Sequence, residues 1–186
     1  MPTWSWLVIA VAAVIVVALA MLVARSVSRR KRTERLKSHF GPEYDRAVGE
    51  SGEQGTAEKE LVARERKRQK LDVVVLTPES RAKYVEHWRT VQTAFVDNPS
   101  RAVGDADRLV TEVMRERGYP VDDFEQRAAD ISVEHPGLVQ NYRAAHDIAV
   151  RRSQGKADTE DLRSALIGYR SLFDELLHAD APEMAH

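Results

Sequence analysis

The longest uninterrupted apolar run in the chain is WSWLVIAVAAVIVVALAMLVA, Trp4 to Ala24, in which Ser5 is the only polar side chain. A helix of that length, rising about 1.5 Å per residue, is roughly 30 Å long, which matches the hydrocarbon core of a bilayer. The pattern therefore predicts a single transmembrane anchor over residues 1–24. Trp4 and Trp6 mark one interface of that anchor, and Arg25, Arg29, Arg30, Lys31 and Arg32 mark the other.

Beyond the anchor the apolar positions thin out and become periodic. In RLKSHFGPEYDRAVGE, Leu36, Phe40, Tyr44 and Val48 recur every four residues. They predict two helical pieces that break at Gly41-Pro42, because glycine ends a helix readily and proline begins the next. Glu50 to Thr56, ESGEQGT, has glycines and no apolar anchor and reads as a flexible joint. Ala57 to Lys70 is rich in helix formers, with Glu60 and Arg64 in favourable i,i+4 spacing, and predicts a solvated charged helix. LDVVVL, Leu71 to Leu76, is the one strand-like stretch. A lone short strand has no partner in its own chain, so it either lies extended across helices or pairs between chains.

From Thr77 onward the signals are those of helices with caps. Thr77-Pro78 opens a helix to about Val96 with Tyr84, Val85, Trp88, Val91 and Phe95 on one face. Asn98-Pro99 opens a second, striped by Ala102, Val103, Ala106, Leu109, Val110, Val113 and Met114 and stopped at Gly118. A third starts near Asp122, which has capping-box spacing to Glu125, and carries Phe124, Ala128 and Ile131. Pro136 begins a fourth with Leu138, Val139, Tyr142 and Ala145, and Asp158 with Asp161 frames a fifth carrying Leu162, Ala165, Tyr169, Leu172, Phe173, Leu176 and Leu177. The predicted fold is all-α: an N-terminal transmembrane helix, a charged juxtamembrane helix and a compact bundle of four to five helices. The expected boundaries are an anchor at 1–24, a basic collar, joint and helical linker at 25–70, the bundle at 71–178 and a disordered tail at 179–186.

Charge refines this layout. Arg25 to Lys37 holds seven Lys or Arg against the single acid Glu34, which leaves 21 basic and 28 acidic residues in 38–186. A basic collar thus adjoins an acidic body. Basic residues that follow an apolar segment are the reverse of a secretory signal and place the C-terminal side in the cytoplasm, with the N-terminus outside. The resulting expectation is a single-pass cell-membrane protein that contacts the bilayer through residues 4–24. An acidic body also argues against nucleic-acid binding, which needs cations to neutralise phosphates. With no cysteine in the chain, disulfides, thiolate metal sites and cysteine nucleophiles are excluded.

Candidate chemistry is sparse. Glu175 and His178 have the E-x-x-H spacing that puts a carboxylate and an imidazole on one helix face, as in di-iron bundles, and Glu183 with His186 repeats it. No further acids interrupt the other apolar stripes to complete a di-metal site, so no metal or other cofactor is expected. His146 and His87 have no acid or nucleophile placed to build a catalytic group with them, and no Walker, kinase or nucleophile-elbow motif occurs. Arg64, Arg66, Lys67, Arg68 and Lys70 lack the interleaved aromatics of a nucleic-acid surface and read as a charged helix face. RERGYPVDDFEQ offers a candidate partner-binding turn with Arg115, Arg117, Tyr119, Pro120, Asp122 and Asp123. The alternative there is an ordinary helix connection in which Tyr119 plugs the edge of the core.

HFGPEYDRAV, the Thr77-Pro78-Glu79-Ser80 start of a Tyr84/Trp88 helix and, above all, VMRERGYPVDDFEQRAADISVEHP resemble a group of uncharacterised bacterial single-pass membrane proteins with a helical soluble domain. The resemblance covers most of the chain after the anchor and implies the same architecture, with no activity, cofactor or catalytic residue to carry over. The expected function is a non-enzymatic, membrane-tethered interaction or scaffold protein whose protein partner the sequence does not name. The alternatives are a metal-dependent enzyme using Glu175 and His178, and an envelope-stress protein that binds anionic lipid through its collar.

Overall fold

The computed structural model describes the backbone of residues 3–178 and the side chains of 12, 13 and 15–178. Among these, every regular element is a helix. They are α1 (Thr3–Phe40), α2 (Pro42–Ser51), α3 (Gln54–Arg68), α4 (Pro78–Asp97), α5 (Pro99–Glu116), α6 (Phe124–Glu134), α7 (Pro136–Ser153) and α8 (Thr159–His178). The chain divides into two compact units, Met1–His39 and Phe40–His186.

In the first unit α1 runs without a break from the apolar segment through the collar. Among the described residues no helix is long and apolar enough to cross a membrane. The expected anchor falls partly on positions whose side chains lie outside the described ones, Trp4 and Trp6 among them. Ile15, Val16, Val17, Leu19, Met21, Leu22 and Val23 are described, and all are exposed. Arg25, Arg29, Arg30, Lys31 and Arg32 are exposed on the same helix.

The second unit begins at Phe40, not at Leu71 as the sequence suggested. The reason is the behaviour of 40–70. Gly52, in the left-handed region at φ 68°, donates its N–H to the Val48 carbonyl at 3.0 Å, and α3 resumes at Gln54. The expected flexible joint is therefore a tight turn, and α2 and α3 form a hairpin. Its apolar side is short but real: Tyr44, Ala47, Ala57 and Leu61 are buried. The helix expected to be solvated is packed, with α3 against α6 and α2 against α7.

Four of the remaining helices start at side-chain caps, and α7 starts at Pro136 without one. Thr77 accepts the Ser80 N–H at 3.1 Å, Asn98 that of Arg101 at 3.0 Å, Asp123 that of Gln126 at 2.9 Å, and Asp158 that of Asp161 at 2.8 Å. The third cap is Asp123, one residue later than expected. Packing runs from α4 to α5 to α8 to α7 and on to α6. The core lies along this path, with Trp88 stacked on Phe173 (ring centroids 4.7 Å) at one end and Val139, Tyr142 and Tyr169 further in. Helices α7 and α8 approach closely at Gly168, where a Cβ would stand 2.7 Å from the Asn141 carbonyl oxygen.

Residues 71–77 form no ladder. The Val74 N–H donates to the Arg117 carbonyl at 2.9 Å, and Leu76 is buried. The segment lies extended across the turn after α5. Gly118 sits there at φ 90°, where a Cβ would fall 2.6 Å from the Asp72 carbonyl oxygen, so only glycine suits the crossing.

Candidate functional site

The densest polar feature of the second unit is built on Glu43, in the first turn of α2, and its carboxylate is fully buried. Oε1 accepts from Arg64 Nη1 of α3 at 2.9 Å, from Arg143 Nη2 of α7 at 3.0 Å and from Arg46 Nη1 of its own helix at 3.3 Å. Gln140 Nε2 approaches Oε2 at 3.4 Å. A charge is tolerated in an interior when it is paired and its lone pairs are used. Here one carboxylate ties three helices together.

Three guanidiniums on one buried acid leave two positive charges to be balanced, and half-exposed or more exposed acids balance them. Glu50 meets Arg46 at 2.6 Å with its side chain 56% exposed, and Glu60 meets Arg64 at 2.5 Å with its side chain 50% exposed. Glu125, at the start of α6 and 62% exposed, reaches Arg143 at 2.6 Å and Arg46 at 3.5 Å. Burial works to raise the Glu125 pKa, but Arg143 and then Arg46 outweigh it and hold the carboxyl below its usual range.

Arg46 and Arg143 open onto a cleft of ≈ 240 Å³. Phe124 and Ala144 give it an apolar wall, and Gln140, Glu125 and Asp147 complete the lining. Behind it the Phe124 ring stacks on His146 with centroids 3.5 Å apart and lies 5.1 Å from Tyr142. Arg127 Nε donates to the Tyr142 hydroxyl at 3.1 Å and its Nη1 to the Val121 carbonyl at 2.7 Å. Tyr169 is fully buried beyond them, and burial with the nearby Asp107 charge pushes its phenol above the ordinary range.

Burial lowers the pKa of His146, and Asp107 only partly opposes it. Burial likewise lowers His135, against the pull of Glu175 and Glu134. Both imidazoles are thus harder to protonate in the folded chain than in the unfolded one. The unfolded state then takes up protons first as pH falls, so stability is expected to be level above about pH 6.5 and to drop below it. Glu125, Glu134 and Glu116 have depressed values and remove further stability below about pH 4.5. Thermal melts from pH 7.5 to 4 check this. His146→Phe, which keeps a ring against Phe124, is expected to flatten the upper part of the slope; an unchanged slope between pH 6.5 and 5 would assign it elsewhere.

The turn singled out in the sequence is mostly internal. Arg117 and Tyr119 are each 3% exposed. Arg117 Nη1 donates to the Leu176 carbonyl at 2.8 Å, and the Tyr119 hydroxyl donates to Glu134 beneath the Arg68 guanidinium. Burial and the Glu134 bond push the Tyr119 phenol up to about 12. Of the two readings left open for Arg115, Arg117, Tyr119, Pro120, Asp122 and Asp123, the burial matches the helix connection with a plugged core edge: Arg117 and Tyr119 are inside and Pro120 is half-buried. Arg115, Asp122 and Asp123 face outward, and Asp123 is engaged as the α6 cap. A turn between two core helices needs such a plug.

Glu175 and His178 are not brought together. Glu175 pairs with His135 Nδ1 at 3.1 Å, whereas His178 Nδ1 lies 2.6 Å from the Asp174 carbonyl oxygen one turn back. Glu183 and His186 lie outside the described residues, and among the described ones no group of three or more acids and histidines could hold a metal ion. The Glu43 cluster went unread because its partners are distant in sequence. A signal was present: Glu43 shares the buried face of α2 with Tyr44 and with Ala47 one turn on, an acid among apolar positions. The chain matches no protein-family model, no curated protein and no solved structure.

Proposed function

We propose that this is a membrane-tethered, non-enzymatic interaction protein that presents its acidic helical bundle at the cytoplasmic face. One observation carries the reading. Seven large apolar side chains between Ile15 and Val23 are 51% to 64% exposed on a single helix that continues directly into the basic collar. A continuous apolar surface of that kind is not left in water, and a lipid phase covers it without any protein partner. The basic residues Arg25, Arg29, Arg30, Lys31 and Arg32 that follow support a cytoplasmic bundle by the positive-inside rule.

The expected result is that the full chain stays with membranes through alkaline carbonate washing, and that deletion of residues 4–24 releases it to the soluble fraction. A reporter fused after His186 is expected to be active in the cytoplasm and silent outside it. Full-length protein recovered in the wash, or a reporter active only outside, overturns the tether or its orientation respectively.

A further inference from the structure

We propose that the cleft between α2, α6 and α7 binds a small zwitterionic carboxylate of amino-acid size, with Glu125 standing in for the ligand's carboxylate in the empty protein. This goes beyond the tether and does not depend on it. The anionic end of the site is preorganised from below. Glu43 is fully buried and holds Arg143 Nη2 at 3.0 Å and Arg46 Nη1 at 3.3 Å, so both guanidiniums are fixed before anything binds. Arg143 is itself only 9% exposed at its side chain, and its Nε has no hydrogen-bond partner. Planar guanidiniums so clamped match a carboxylate with paired donors.

At the mouth of the cleft their outer nitrogens are met by Glu125, at 2.6 Å from Arg143 and 3.5 Å from Arg46, while Glu50, which does not line the cleft, holds Arg46 from the side at 2.6 Å. The Glu125 carboxylate is 62% exposed, so water takes over part of its pairing when it swings out. An incoming carboxylate replaces the Glu125 carboxylate on the same guanidinium nitrogens and releases it to water, so the buried Arg143 charge stays paired throughout. Asp147 lies one helical turn after Arg143 on α7 and lines the same cleft, where it makes no ion pair. It supplies an anion for a ligand ammonium and repels a multiply charged phosphate. The Phe124 ring and Ala144 offer an apolar wall for a side chain. At ≈ 240 Å³ the cleft is below the roughly 300 to 1,000 Å³ of drug-sized pockets, which suits a molecule the size of one amino acid.

The test is calorimetric titration of the full-length protein in nanodiscs of uncharged lipid with L-leucine, acetate, methylammonium and inorganic phosphate. L-leucine is expected to bind, and to bind more tightly than acetate or methylammonium. Glu125→Gln removes the internal competitor and is expected to tighten leucine binding at least about two- to fivefold, the factor of an ion pair with one solvated partner. Arg46→Gln is expected to weaken it about tenfold, the scale of one charge-assisted hydrogen bond. Because Arg46→Gln also touches the Glu43 cluster, exposed Asp147→Asn serves as the second variant. It is expected to keep acetate binding and lose the preference for leucine. No leucine binding to either wild type or Glu125→Gln overturns the site, as does binding that survives Arg46→Gln undiminished. Acetate binding as tight as leucine, or phosphate binding tighter, overturns the assignment of the ligand as a zwitterionic carboxylate.

Discussion

Glu43→Ala is expected to lower the stability of the second unit by about 3 to 5 kcal/mol, the range for removing one partner of a buried ionic cluster. The loss comes less from the bonds themselves than from what remains. Arg143 and Arg64, with side chains 9% and 12% exposed, would keep their charges in a poorly hydrated place without the carboxylate that pairs them. For a unit of this size the melting temperature should fall by roughly 10 °C. The damage should also be local. Tyr44, Ala47, Ala57 and Leu61 are buried, yet they are not part of the continuous core formed by α4 to α8. The α2–α3 hairpin therefore relies on a small apolar contact and the Glu43 cluster together. In hydrogen exchange, amides of residues 42–68 should lose protection while those of α5, α7 and α8 keep it. Uniform loss along the chain would show that the hairpin and the main core unfold as one. Glu43→Gln, which retains a carbonyl acceptor of the same shape, should lose less than the alanine variant.

The contrast between legible and illegible parts follows the range of the interactions. Helices α4, α5, α6 and α8 were readable because their start signals are local, a threonine, asparagine or aspartate that accepts an N–H three residues on, and α7 because Pro136 stands at its first position. Their stripes were readable because Val103, Val110, Val113 and Met114 repeat at helical spacing, and all are fully buried. The α2–α3 hairpin was misjudged because its glycines suggested looseness, whereas Gly52 serves as a left-handed stop and Gly49 and Gly55 lie within helices. The Glu43 cluster spans Glu43 to Arg143, a separation no local pattern encodes. Tyr119 posed the same problem on a smaller scale. An inward Tyr119 was one of the two readings its turn allowed, but its partners Glu134 and Arg68 come from other helices and were not legible. Charge-rich segments are ambiguous in sequence because a long cationic side chain can either face water or close over a buried acid.

Trp88→Ala is expected to be about as costly as Glu43→Ala, at about 3 to 5 kcal/mol for a large aromatic truncated in a core, but to act in the opposite manner. Trp88 is 4% exposed and stacks on Phe173 at an interplanar angle of 21°, joining α4 to α8 within the continuous core. The cavity left behind is lined by side chains of the main core, so protection should fall together along α4, α5 and α8. Loss confined to α4 would mean that this helix is an appendage. Trp88→Phe should recover much of the loss, since the indole Nε1 has no hydrogen-bond partner and only the ring contact is at stake. The two substitutions also separate stability from the cleft. Arg46 and Arg143 are positioned by Glu43 and not by Trp88. At a temperature where both variants remain folded, Trp88→Ala should therefore retain leucine binding near the wild-type level while Glu43→Ala loses it. Equal loss in both would mean that the cleft depends on the whole core, with the Glu43 cluster contributing nothing particular to it.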